Sequence, residues 1–133
     1  MKRRMLILLL LFSQIRLCMG QEKKATIFVF RDDNLIFPNL KAKLFIDDNL
    51  RLGLKGGWYD TLTVYPGCYD LKSNINSRKY NFCFSADSVY YFQMIFSNNN
   101  PFLLGGAEII PVESNYAIMK INKGKLRRKS YKK

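Results

Sequence analysis

The side chains with which this chain of 133 residues could do chemistry are three cysteines, ten carboxylates and 22 lysines and arginines, with no histidine. The missing histidine removes the commonest general base, metal ligand and nucleophile activator at once. Cys-His and Ser-His-Asp mechanisms are excluded, which leaves only lysine-activated or carboxylate chemistry. The adjacent acids Asp32-Asp33 and Asp47-Asp48 fall in turn-like stretches, where Asp is favoured for backbone reasons. Neither pair has the spaced oxygen ligands of a calcium loop. The expectation is no catalytic residue, no cofactor and no metal. An enzyme, a hydrolase for instance, is the most distant reading.

The cysteines carry a sharper signal. The segments Cys68 to Ser73 and Lys79 to Ser85 flank Asn74-Ile75-Asn76-Ser77. A two-residue turn at Ile75 and Asn76 pairs positions whose numbers sum to 151. That register sets Tyr69 opposite Phe82 and Leu71 opposite Tyr80 on one face, with Asp70 opposite Asn81 and Lys72 opposite Lys79 on the other. One apolar and one polar face result, as a hairpin with one buried side requires. Cys68 then stands opposite Cys83, where strand partners lie about 4.5 to 5.5 Å apart, within disulfide reach. Closing a loop of about 15 residues is worth roughly 3 kcal/mol in the entropy model. A structural staple is the favoured reading over a labile redox bond, because a neighbour such as Asp70 does not lower a thiol pKa.

The elements that position these residues are short alternating runs separated by turn chemistry. Ala25 to Arg31 is β-branched and aromatic and suits a strand buried on both faces. Lys41 to Ile46 and Leu50 to Leu54 flank Asp47-Asp48-Asn49, a hairpin turn. Gly56-Gly57 closes that strand and Trp58 to Val64 comes next, ended by Tyr65-Pro66-Gly67, where Pro and Gly suit the centre of a type II turn. Val89 to Phe96 reads as a strong central strand and Ala107 to Val112 as the last. Glu113 to Ile121 reads as a short helix with Tyr116 and Met119 turned inward. The fold expected is all-β, a single small β-sandwich of about seven to eight mostly antiparallel strands with a short C-terminal helix.

Turn residues and strand starts, taken in order, carry a resemblance. Ala25-Thr26-Ile27-Phe28-Val29-Phe30-Arg31, Phe45-Ile46-Asp47-Asp48 with Leu52-Gly53, Gly57-Trp58-Tyr59, Val64-Tyr65-Pro66-Gly67-Cys68-Tyr69-Asp70-Leu71 and Tyr90-Tyr91-Phe92 together resemble the bacterial family labelled domain of unknown function 2846. The stretch from the Asp turn to the Pro-Gly turn is also similar to the PEGA type of surface β-domain. The resemblance implies an exported or lipid-anchored β-sandwich and brings no catalytic residues with it. The cysteines at 68 and 83 and the basic C-terminal tail depart from the family pattern.

Both ends of the chain read differently from the body. Lys2, Arg3 and Arg4 precede an apolar run from Met5 to Phe12, too short for the roughly 20 residues of a spanning helix and suited to a signal peptide. Cleavage after Cys18-Met19-Gly20 would start the mature chain at Gln21. The rival is a lipoprotein acylated at Cys18, although Leu17 and Arg16 are a poor fit before that cut. The formal net charge is +12, but residues 21 to 119 hold ten basic and ten acidic residues. The excess sits at the termini: four basic residues in the first 20, and eight from Lys120 to Lys133 with no acid. The organisation expected is a signal peptide at 1–20, a β-domain at 21–119 and a basic, disordered tail at 120–133.

That tail, with Lys123, Lys125, Arg127, Arg128, Lys129, Lys132 and Lys133, could attract anionic lipid, lipopolysaccharide or another polyanion; the plainer reading is a solvated end. It lacks interleaved aromatics, so no sequence-specific nucleic-acid binding is expected. Two apolar loops, Leu35-Ile36-Phe37 and Phe102-Leu103-Leu104, are either plugs for the ends of the sandwich or contact surfaces, the plug being favoured. Trp58 and Tyr59 read as one core and one surface residue. The function expected is an exported, non-enzymatic β-sandwich module, periplasmic or extracellular, that binds another protein or an envelope polymer. The alternative is an adaptor that holds anionic surfaces through its tail.

Overall fold

The computed structural model describes residues 22–33, 39–73, 78–96, 107–122 and 127–128. Among the described residues nine strands succeed one another as β1 (Ala25–Arg31), β2 (Ala42–Ile46), β3 (Asn49–Leu54), β4 (Trp58–Val64), β5 (Gly67–Ser73), β6 (Tyr80–Phe84), β7 (Val89–Phe96), β8 (Ala107–Pro111) and β9 (Arg127–Arg128), with helix α1 (Ser114–Asn122) between the last two. They form a five-stranded sheet ordered β8-β7-β1-β4-β9 and a four-stranded sheet ordered β3-β2-β5-β6. The pairing is antiparallel except at β1–β7 and β4–β9, which are parallel. A small β-sandwich is what the alternating pattern required, and the strand boundaries fall within a residue or two of those expected.

Period-two alternation sets the core. Ala25, Ile27 and Val29 of β1 face the four-stranded sheet and pack with Leu44, Ile46, Leu54, Leu71, Phe84, Phe92 and Met94. Phe82, Phe84, Tyr90 and Phe92 meet edge-on at the β6–β7 side, with centroids 5.1 Å apart for Phe82–Phe92 and 5.0 Å for Phe84–Tyr90. Such edge-to-face pairs add about 0.5 to 1.5 kcal/mol beyond area burial. Trp58 borders this core, while Tyr59, one residue on, points to the opposite face of the sheet. Both are half-buried.

The β2–β3 turn is built as its composition demands. Asp47 and Asp48 both adopt left-handed backbone, φ 48° and 63°, the twist-matched geometry of a two-residue hairpin. A bulge between Leu44 and Phe45 shifts the register beside it.

Helix α1 lies on the outer face of the five-stranded sheet. There a second cluster joins Phe30 and Ala117 with Tyr59, Tyr91, Val112 and Ile121. Two positions of the helix therefore differ from expectation. The inward stripe is Ala117 and Ile121, four residues apart; Met119 is 41% exposed and Tyr116 37% exposed. A methyl side chain at 117 lets the helix backbone approach the sheet, which turns Met119 to the far side. Tyr116 stays at the flank, its ring 6.2 Å from that of Phe30. The domain boundary expected at Met119 falls inside α1, and Lys120 to Asn122 complete the helix. Every described strand and helix lies between Ala25 and Arg128.

Candidate functional site

Three places in this frame hold the residues on which a function could rest. The first is the open face of the four-stranded sheet. Cys68 and Cys83 are disulfide-bonded in the expected register, with Tyr69 opposite Phe82, Asp70 opposite Asn81 and Leu71 opposite Tyr80. Both cysteines are exposed, on the polar face of the hairpin. Leu71 is buried on the other face, whereas Tyr80 at the hairpin's far end stays exposed. The neighbouring carboxylates are fasteners. Asp47 Oδ1 accepts the Asp70 amide at 2.8 Å, and the Asp47 amide donates back to the Asp70 carbonyl at 2.9 Å. Asp48 accepts Lys72 at 2.7 Å and Lys79 at 3.5 Å. The hydrogen bond from Lys72, then the charges of both lysines, hold the Asp48 carboxyl below its ordinary range. Among the described residues no group of three His, Cys, Asp or Glu side chains could hold a metal ion.

The second place is the end of the sandwich where β1 and β7 finish. Arg31 continues the inward series Ala25, Ile27, Val29 and is 1% exposed. Its guanidinium donates to the carbonyls of Leu40 and, at 3.3 Å, Leu54. Burial lowers its affinity for the proton, and the charge of Asp33 partly offsets this. One buried cation thus ties β1, the residue that leads into β2 and the end of β3. Because β1 and β7 are parallel neighbours, with Arg31 beside Met94, the chain leaves both strands at this same end. Leu35, Ile36, Phe37, Phe102, Leu103 and Leu104, the candidate contact loops, lie outside the described residues.

The third place is helix α1 together with the short edge strand β9. Lys120, read from sequence as the start of a free tail, donates to Asp32 Oδ2 at 3.1 Å, and Gln93 Nε2 donates to the same oxygen at 2.8 Å. The bond to Asp32 raises the Lys120 pKa, against desolvation by partial burial. Arg127 and Arg128 pair in parallel with Trp58 and Tyr59, and the Arg127 amide donates to the Gly57 carbonyl at 2.7 Å. Both arginines are exposed on this sheet edge. Lys123, Lys125, Lys129, Lys132 and Lys133 lie outside the described residues, as does Cys18. Among the described residues no helix is long and apolar enough to cross a membrane.

No family model, no curated protein and no solved structure matched this chain. Its chemistry is read from its own side chains. A shallow open depression is lined by Glu22, Lys23, Lys24 and Tyr65. There Lys24 stacks 4.6 Å from the Tyr65 ring centre, and Lys23 pairs with Asp87 at 3.0 Å. Sequence reasoning missed the roles of Arg31 and Asp32. The signal for Arg31 was present, because it shares the parity of three core residues. For Asp32 there was none, since its partners lie 61 and 88 residues away.

Proposed function

We propose that this chain is an exported, non-enzymatic β-sandwich module that binds another protein or an envelope polymer through the end of the sandwich where β1 and β7 finish. One observation supports the reading: β1 and β7, the strands that precede Leu35-Ile36-Phe37 and Phe102-Leu103-Leu104 in the sequence, are parallel neighbours and end on the same side of the sandwich, with Arg31 beside Met94. Buried Arg31 grips the far side of the first segment at Leu40. Apolar loops based on a rigid sheet are a usual way to present a binding surface. An oxidising compartment accords with the Cys68–Cys83 bond and with the apolar, positively flanked N-terminus.

The test is an affinity pull-down from envelope extract with residues 21–133 beside a variant carrying Leu35→Ser, Phe37→Ser, Phe102→Ser and Leu104→Ser. Retention of a partner by the first and its loss by the second, with unchanged far-UV circular dichroism, is the expected result. Equal retention by both defeats the reading. A second reading, the adaptor at anionic surfaces, is favoured by one feature, the solvent exposure of Arg127 and Arg128 on a short edge strand. A chain ending at Arg128 tests how much of it depends on the last five residues. A chain ending at Met119 would cut α1 and release Asp32, so it would confuse tail loss with unfolding.

A further inference from the structure

The face of α1 turned away from the sheet has an unusual composition for water. With Ala117 and Ile121 facing inward and Lys120 drawn to Asp32, the exposed side chains of the helix are Ser114, Asn115, Ile118, Met119 and Asn122, with Tyr116 at the flank. No charged residue is among them. Ile118 is 42% and Met119 41% exposed. On the same outer face of the sheet, two residues beyond Gln93, Ile95 is 39% exposed.

A partner for this face must offer apolar contact, and charge identifies it further. The body from 21 to 119 is neutral, and the whole uncompensated charge outside the first 20 residues begins at Lys120 and is positive. Of its described exposed members, Arg128 is fixed beside Tyr59, which belongs to the cluster beneath α1, whereas Arg127 pairs with Trp58 and so takes the other side of the pleat. Apolar side chains on a helix and a cation at its border match a bilayer surface with anionic headgroups, where the first enter the acyl boundary and the second meets phosphate.

We infer that the outer face of α1, with Ile118 and Met119 as its inserting residues and Arg128 as its described headgroup contact, docks on anionic lipid bilayers. This rests on the adaptor reading and deepens it, since that reading asks only for charge. The binding mode is peripheral: the helix lies along the surface and the sandwich stays in water.

The experiment is cosedimentation of residues 21–133 with vesicles of phosphatidylglycerol and phosphatidylcholine, against vesicles of phosphatidylcholine alone. Binding to the anionic vesicles only is expected. The Ile118→Gln, Met119→Gln variant keeps both arginines and a helix-compatible side chain at each site, and its partition is expected to fall about tenfold with an unchanged melting temperature. The Arg128→Gln variant is expected to lose about fivefold at low salt. If the glutamine pair at 118 and 119 binds as the parent does while the arginine variant does not, the helix face is overturned and the adaptor reading survives. If the parent ignores anionic vesicles, both fall. If the parent self-associates in sedimentation equilibrium, ignores vesicles, and the 118/119 variant is monomeric, the face belongs to a second copy and the inference is overturned.

Discussion

The outer face of the five-stranded sheet is roofed by α1 over Phe30 and Tyr91, whereas the outer face of the four-stranded sheet is left to solvent and tied across its surface by Cys68–Cys83 and by Asp48 with its two lysines. The strand residues on those faces explain the divergence. β1 and β7 carry Phe28, Phe30 and Tyr91 outward, and the first and last of these stack with centroids 5.2 Å apart. β5 and β6 carry Cys68, Asp70, Lys72, Asn81 and Cys83 outward. Apolar strands need a cover and polar ones do not. One sheet is secured by burial, and the other by a covalent bond and charge pairs.

Perturbations should therefore separate the two sheets except where they share a core. Phe92→Ala removes an aromatic side chain from the shared core and is expected to cost about 3 to 5 kcal/mol. Urea unfolding followed by circular dichroism and by tryptophan fluorescence should give a single, lowered midpoint, because both sheets lose the same contact. A variant in which the two probes part would show that the sheets unfold independently. Cys68→Ser with Cys83→Ser is expected to cost about 3 kcal/mol. Hydrogen exchange should quicken in β5 and β6 and stay slow in α1; uniform quickening would erase the contrast.

On the roofed side, Asp32→Asn weakens the hold on Lys120 and Gln93. Since Asp32 is partly open to solvent, the expected loss is about 1 kcal/mol or less, seen as faster exchange in α1 alone. The raised Lys120 pKa has a matching consequence with a defined sign. Its contribution is complete below the unfolded lysine pKa and is lost as pH rises through the higher folded value, so α1 should loosen first on alkaline titration. The smallest effect belongs to the open face. The Asp48 carboxyl should titrate below an ordinary aspartate in NMR, and Lys72→Gln should move its midpoint upward. Any contribution it makes is present above the unfolded pKa and fades as pH falls through the lower folded one.

How much of the molecule is legible in its residues depends on the range of the forces involved. The hairpin register, and with it the disulfide, was legible because the alternation in Cys68 to Leu71 and in Tyr80 to Cys83 sets apolar beside apolar and polar beside polar in the pairing observed; the turn expected at Ile75 and Asn76 lies outside the described residues. The Asp47-Asp48 turn was legible because few residues tolerate left-handed backbone. Met119 was misplaced because a short helix offers several apolar stripes, and the choice among them was made by Phe30 and Tyr91, far away in sequence. The tail was read as free from Lys120 because composition registers charge and not its partner: Asp32 lies 88 residues earlier. The exposed helix face came into view only once the inward stripe was known.

The position of β1 between β4 and β7 has a consequence for how quickly the molecule can assemble. The first strand made is the central one of its sheet, and Val29 finds one neighbour at Asp60 and the other only at Phe92. Each of these closures joins distant parts of the chain before any local contact rewards it, and the second is parallel, so no short hairpin can template it. A chain of this topology belongs with the slow two-state folders, with refolding expected in about milliseconds to seconds. Until β7 arrives, the apolar edge of β1 stands open to other chains. Stopped-flow refolding of residues 21–133 should show that delay, and a chain ending at Phe84 should aggregate instead of folding.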